Sequence, residues 1–155
     1  GYVKGRGFQD PGMNSFNHWA FGAVGEWVWS DLAGLAPDER HPAYARFIVH
    51  PRPCASTTWV NCRYDSIRGP IELHWRTESG RFTLDLAVPP NSTATVVLPT
   101  RDPGRVKEGG RSAREATGVE LLDVSANETR FRVASGRYHF ESPFQATAEA
   151  GPTRP

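Results

Sequence analysis

Lysine is almost missing from this chain. Only Lys4 and Lys107 stand among its 18 basic residues, the rest are scattered arginines, and 17 acidic residues bring the formal charge to +1. A balance so near neutral gives no electrostatic footprint for nucleic acid or for an anionic membrane surface, so neither is expected as a partner. No apolar run reaches the length that spans a bilayer. The chain opens on Gly1 and carries no signal-peptide pattern, which says nothing about compartment if the chain is a fragment, so localisation stays open. Cysteine is equally scarce. Cys54 and Cys62 match no metal-ligand spacing; a disulfide between neighbouring strands is one reading, two unpaired, partly buried thiols the preferred one. His41, His50 and His139 have no acidic or cysteine partners at ligand spacing. A phosphate-binding glycine loop and a nucleophile motif are also lacking. No metal and no cofactor is therefore expected. Asn91-Ser92-Thr93 and Asn127-Glu128-Thr129 fit the glycosylation pattern but read as turns.

What the sequence does have is one dense apolar stretch. Asn14 or Ser15 can cap a helix start, and a helix then runs from about residue 15 to 33, with Gly34 as its stop. Phe16, Trp19, Ala20, Ala23, Val24 and Trp27 cover one side, and Phe21, Val28, Trp29 and Leu32 much of the rest. A helix apolar nearly all round is a buried helix and needs protein on several sides. Asn17 and His18 are the polar exceptions, in the first turn, where a helix end can face a cavity. Residues 1–13, rich in glycine, read as a loop, and 37–42 as a linker at a domain boundary.

Beyond Arg46 the period becomes two. Phe47-Ile48-Val49 is a short strand. Thr58, Val60, Cys62 and Tyr64 alternate with Trp59, Asn61 and Arg63; Ile71, Leu73 and Trp75 with Glu72, His74 and Arg76; Phe82, Leu84, Leu86 and Val88 with Thr83, Asp85 and Ala87. Ala94, Val96 and Leu98 follow, then a charged, glycine-rich loop over 101–114, then strands over 119–124, 129–133 and 137–141. Turns fall at Gly69-Pro70, Ser79-Gly80 and Pro90-Asn91. Short strands with regular turn signals predict an antiparallel β-sandwich over residues 43–150, with a disordered tail at 151–155. The sandwich leaves too little chain to cover the helix, so the helix of residues 1–36 belongs with protein that is not part of the sandwich.

Ser15-Phe16-Asn17-His18-Trp19-Ala20-Phe21-Gly22-Ala23-Val24-Gly25 resembles a signature of bacterial-type α-L-rhamnosidases, inverting glycoside hydrolases. The likeness continues through Pro37, Phe47 to Pro53, Tyr64-Asp65-Ser66, Gly69 and Trp75 to Val88-Pro89-Pro90-Asn91-Ser92-Thr93-Ala94. The resemblance implies that residues 1–36 end an (α/α)6-barrel catalytic domain and that a C-terminal β-sandwich follows. It implies hydrolysis of terminal α-L-rhamnosyl bonds with inversion, which takes two carboxyl groups about 6.5–9.5 Å apart. Asp10, Glu26, Asp31, Asp38 and Glu39 make no convincing pair. By the resemblance the acid lies far upstream and the base in a segment ending just before Gly1, so no catalytic residue is assigned here and the chain alone is expected to be inactive.

The family's histidine that matches His18 lines the rhamnose subsite, and imidazole suits a sugar hydroxyl because it offers a donor and an acceptor. His18 and, more weakly, Asn17 are therefore the substrate-binding candidates, against a structural role at a helix start. Trp19, Trp27 and Trp29 read as core, and Trp59, out of phase with its strand's inner face, as a contact that docks the sandwich on the barrel. The implied partners are a rhamnoside, reached through the complete enzyme, and the rest of the barrel; the apolar helix also predicts self-association. The alternative is a non-catalytic carbohydrate-binding or structural β-sandwich module.

Overall fold

The structure, a computed structural model, describes residues 2–8, 22–54, 56–125 and 127–145. The ends of the periodic segments become strands much as their alternation requires. The elements are β1 (Tyr2–Val3), β2 (Gly7–Phe8), α1 (Ala23–Trp27) continuing into a π-helical turn (Val28–Ala33), β3 (Leu35–Pro37), β4 (Arg46–Val49), β5 (Trp59–Ser66), β6 (Gly69–Glu78), β7 (Arg81–Val88), β8 (Thr93–Leu98), β9 (Lys107–Glu108), β10 (Arg111–Ser112), β11 (Val119–Val124), β12 (Thr129–Val133) and β13 (Gly136–Pro143).

Two sheets face each other. One has the order β10-β9-β13-β7-β6-β5 and the other β11-β12-β8-β4-β3. Each sends its apolar parity inward. Ile71, Leu73 and Trp75 of β6, Phe82 and Leu84 of β7, Phe47 and Val49 of β4, Val96 and Leu98 of β8, and Phe131 and Val133 of β12 are buried, while Glu72, His74 and Arg76 point away. His74 and Trp75 thus face opposite sides, as strand geometry demands. The layers are joined by stacked rings. Phe131 of β12 meets Phe140 of β13 at 6.2 Å, and Trp75 meets Phe82 at 6.2 Å within the first sheet.

The turns show why the register holds. Ser79 and Gly80 both have positive φ (49° and 76°), the primed geometry that matches strand twist in a two-residue hairpin. Asn91 takes φ 56° between β7 and β8. Gly69 is the first residue of β6, so the tight turn before it falls on Ile67-Arg68.

Several expectations are refined by the structure. One sheet pair, β4 with β8, is parallel, because the chain leaves β4, builds β5 to β7 in the other sheet and then returns. Leu35–Pro37 spans the start of the predicted linker yet pairs with β4 as the edge of the sandwich. The glycine-rich start holds a small β1–β2 hairpin, with Gly5 and Gly7 supplying positive φ. The expected 101–114 loop holds two short 3-10 turns and the β9–β10 hairpin, which extends the sheet through β13 and buries Val106 and Ala113. Alternation cannot reveal strands of two or three residues, since so few positions show no period. The tail over 151–155 lies outside the described residues.

Candidate functional site

The helix ends where the sequence places its stop. Gly34 adopts φ 81° and its N–H bonds back to the Trp29 carbonyl. It is also pressed against the sandwich: a Cβ there would sit 2.4 Å from the His50 backbone carbonyl carbon and oxygen. The His50 N–H donates to the Gly34 carbonyl at 2.7 Å, and the buried Trp75 Nε1 donates to the Ala33 carbonyl at 3.3 Å. Two hydrogen bonds and one backbone contact therefore clamp the helix end to β4 and β6.

The first part of the described helix is exposed, and its last turn, Ser30 to Leu32, is half-buried. Val24 is 63% accessible, Trp27 53%, Val28 42% and Trp29 40%, and only Ala33 is buried. Among the described residues nothing covers this apolar surface, which fits a helix built to pack against protein outside the sandwich. The surface continues onto the sandwich. Trp29 meets Tyr64 edge-on at 5.9 Å, Tyr64 lies 4.7 Å from Tyr44, and Tyr44 lies 6.0 Å from Phe47, so one file of rings runs from the helix into the core. Burial raises the Tyr44 phenol above its ordinary pKa, with Tyr64 adding to the effect. Ala43 and Tyr44 hold positive φ (59° and 55°), and Arg68 pins the bend by donating to the Ala43 carbonyl at 3.0 Å and the Asn91 carbonyl at 3.2 Å. Trp59, on the outward parity of β5, is 62% exposed, and Ile67 projects from the next turn.

His18 and Asn17, the sequence's substrate-binding candidates, lie outside the described residues, as do Trp19 and Asp10. Trp27 and Trp29, read as core, are instead exposed: the sandwich meets this helix face only at Tyr64, edge-on to Trp29, among the described residues. Glu26 is exposed on α1, and Asp31 accepts from the Ser30 hydroxyl at 3.0 Å and pairs with Arg52 at 3.5 Å. Asp38 accepts from the Arg40 backbone N–H at 3.0 Å and bonds His41 at 2.9 Å, and these bonds, the histidine's first, hold its carboxyl below the usual range. Each of these acids is engaged locally or faces solvent.

Three of the histidines have acidic partners in the fold, although the sequence offered them none at metal-ligand spacing. His41 meets Asp38, His50 meets Glu128 at 2.8 Å, and His139 meets Asp85 at 2.6 Å and Glu141 at 3.5 Å. The His41–Asp38 and His139–Glu141 pairs were within reach of sequence spacing; His139–Asp85 is made by strand pairing and His50–Glu128 by the approach of distant loops. Among the described residues no three histidine, cysteine or acidic side chains gather as a metal site. Cys54 and Cys62 are free thiols, the second buried. Tyr64 and Tyr44 were missed as surface residues. The signal was Tyr64 at the end of its strand's inner parity, past the point where the opposite sheet can cover it.

Comparison with known proteins adds the family. A family profile described as the bacterial alpha-L-rhamnosidase C-terminal domain matches residues 34–113. An alpha-L-rhamnosidase of Streptomyces avermitilis is 40% identical over 128 residues, which is 82% of this chain and 12% of that protein. The crystal structure of Streptomyces avermitilis alpha-L-rhamnosidase complexed with L-rhamnose superposes with a TM-score of 0.75 at 37% identity, covering 87% of this chain and 12% of that one. The alpha-L-rhamnosidase of Dictyoglumus thermophilum superposes with a TM-score of 0.75 at 31% identity, over 88% of this chain and 15% of that chain. The chain thus spans a small fraction of the relatives it matches.

Proposed function

The chain belongs to the bacterial α-L-rhamnosidase C-terminal domain family, and from that premise we propose that it closes the catalytic barrel of a larger α-L-rhamnosidase and supplies part of its sugar subsite. The observation that carries this reading is the uncovered apolar helix. Its residues Val24, Trp27, Val28 and Trp29 are exposed while its C-terminal end is clamped to the sandwich. An apolar patch of this kind marks a protein interface, and relatives of which the matched segment is only 12–15% supply a natural occupant, the rest of the barrel.

In this reading the parent enzyme hydrolyses terminal α-L-rhamnosyl bonds with inversion. The acid and base come from chain that precedes Gly1, and the residues up to Ala33, before the sandwich edge strand β3, complete the barrel wall. His18 hydrogen-bonds a rhamnose hydroxyl, with Asn17 beside it. Trp59 and Ile67 extend the docking surface onto the sandwich. Alone, the chain is inactive, and its bare helix drives it to self-associate.

The test is complementation. The preceding barrel segment, expressed from the upstream reading frame, is mixed with this chain, and hydrolysis of an aryl α-L-rhamnoside is followed. Activity that requires both pieces, and that falls when His18→Ala is introduced with the complex still formed, supports the reading. An active barrel segment that ignores this chain, or a His18→Ala complex with unchanged turnover and KM, overturns the closing role or the subsite role respectively.

A further inference from the structure

We infer that the open end of the sandwich is a binding cleft for an anionic sugar, with Arg101 and Arg105 holding its carboxylate. The cleft has a volume of about 1120 Å³ and lies where β4, β8, β12 and β13 end, so both sheets build its walls. It is far larger than an inorganic anion needs, and somewhat above the roughly 300–1,000 Å³ of small-molecule sites, with room for a sugar unit. Its lining pairs apolar surface, including the half-buried Phe144 and a ring of prolines, with a few charged groups.

The charges there are not interchangeable. Glu128 is engaged by His50 at 2.8 Å and by Arg130 at 3.6 Å. Asp102 spends its carboxylate on the Gly104 N–H at 3.0 Å, capping the short turn of residues 103–105. Arg52 leans toward Asp31 at 3.5 Å. Arg101, just before the capping Asp102, and Arg105, the last residue of that turn, have no carboxylate partner among the described residues, and both line the cleft. A guanidinium is a planar fork of donors that fits a carboxylate two bonds at a time. Across the cleft, His50 Nε2 is joined to Glu128 Oε1 at 2.8 Å and Arg130 approaches the second carboxylate oxygen at 3.6 Å, which leaves the other ring nitrogen, Nδ1, to meet a sugar hydroxyl. A uronic acid, which joins a carboxylate to a hydroxylated ring with an apolar face, satisfies all three features.

The choice of a saccharide rests on the rhamnosidase reading; the capture of a carboxylate does not. The role would be to hold a charged neighbouring unit of the substrate away from the bond that is cut.

The test titrates the full 155-residue chain by amide NMR with D-glucuronate, with D-glucose, which lacks only the carboxylate, and with inorganic sulfate. The expected result is saturable glucuronate binding with shifts confined to the cleft around residues 50–53, 98–105 and 143–145, and little response to glucose. R101Q/R105Q should weaken glucuronate roughly tenfold or more, while R76Q, on the far face of β6, leaves it unchanged. Unshifted melting curves establish that both variants fold. Equal binding of glucose, or indifference to R101Q/R105Q, overturns the arginine assignment. Sulfate that binds as tightly as glucuronate overturns the sugar and leaves an anion site. None of these outcomes bears on barrel complementation, so the two readings fail separately.

Discussion

Gly34→Ala should be among the most damaging small changes in this chain, and its cost can be separated into two parts. The first is backbone conformation. Gly34 sits at φ 81°, where an L side chain costs about 1–2 kcal/mol. The second is steric. The new Cβ would stand 2.4 Å from the His50 carbonyl carbon and oxygen and 2.5 Å from the Pro51 nitrogen, all backbone, so no side chain can swing aside. Relief requires the helix end and β4 to separate by about an ångström. That strains the 2.7 Å His50–Gly34 and 3.3 Å Trp75–Ala33 hydrogen bonds, whose buried groups cost about 1–3 kcal/mol if left unpaired. The smaller entropy of the unfolded chain returns about 0.4–1 kcal/mol. The net loss is about 2–4 kcal/mol, a fall in Tm of roughly 4–16 °C for a chain of this size. Gly110 is the matched control. Its φ is 82°, and a Cβ there meets nothing within 4 Å, so Gly110→Ala carries the conformational part alone, about 1 kcal/mol. Circular-dichroism melting of both variants decides the matter. Equal shifts would refute the clamp between helix end and β4, since the two sites differ only in what surrounds them. Gly34→Asn sharpens the test: asparagine tolerates positive φ but brings the same Cβ, so it should remain clearly worse than Gly110→Asn.

Other consequences are measurable. Trp75→Phe removes the donor to the Ala33 carbonyl and some buried volume, and should cost about 2–4 kcal/mol in thermal or urea unfolding. The hydrogen bond that His139 donates to the Asp85 carboxylate, more than any other influence, raises the imidazole above its ordinary 6.5. Its protonated form is therefore favoured by folding, and that contribution is full below the unfolded value and fades as pH rises through the folded one. Asp85→Asn should lower the His139 midpoint in an NMR titration and flatten the pH dependence of Tm above the unfolded value of 6.5; an unmoved midpoint would mean the pair does not form. The Ser56 hydroxyl, 3.2 Å from the Cys54 thiol, is the main cause of its lowered pKa, whereas burial pushes the Cys62 thiol up to about 11. At pH 8 iodoacetamide should therefore modify Cys54 first and reach Cys62 only on unfolding, with mass spectrometry giving the order. In the complemented enzyme, Trp59→Ser should weaken association of the two pieces while leaving this chain's own Tm unchanged, because Trp59 is exposed here.

The sandwich was legible because its strands are long enough to show a period. Ile71, Leu73 and Trp75 could be placed inward from alternation alone, and Ser79-Gly80 and Asn91 could be placed in turns because few residues tolerate their backbone angles. The helix stop at Gly34 and the outward parity of Trp59 were legible for the same reasons. The short pieces were not. β3, β9 and β10 have two or three residues each, and they exist because a longer neighbour offers them a free edge.

Local sequence by itself determined the sandwich's strands, the end of the helix and the family to which the chain belongs, since these rest on contiguous residues and short-range geometry. Tertiary structure alone decided which distant groups meet. His50 finds Glu128 and His139 finds Asp85 across many intervening residues, and β4 lies parallel to β8 because the chain detours through the other sheet. It also decided that Arg101 and Arg105 share a cleft with the end of β4, and that Tyr64 carries Trp29 rather than joining the core. Periodicity tells a side chain which way to face; only the packed sheets determine what it faces.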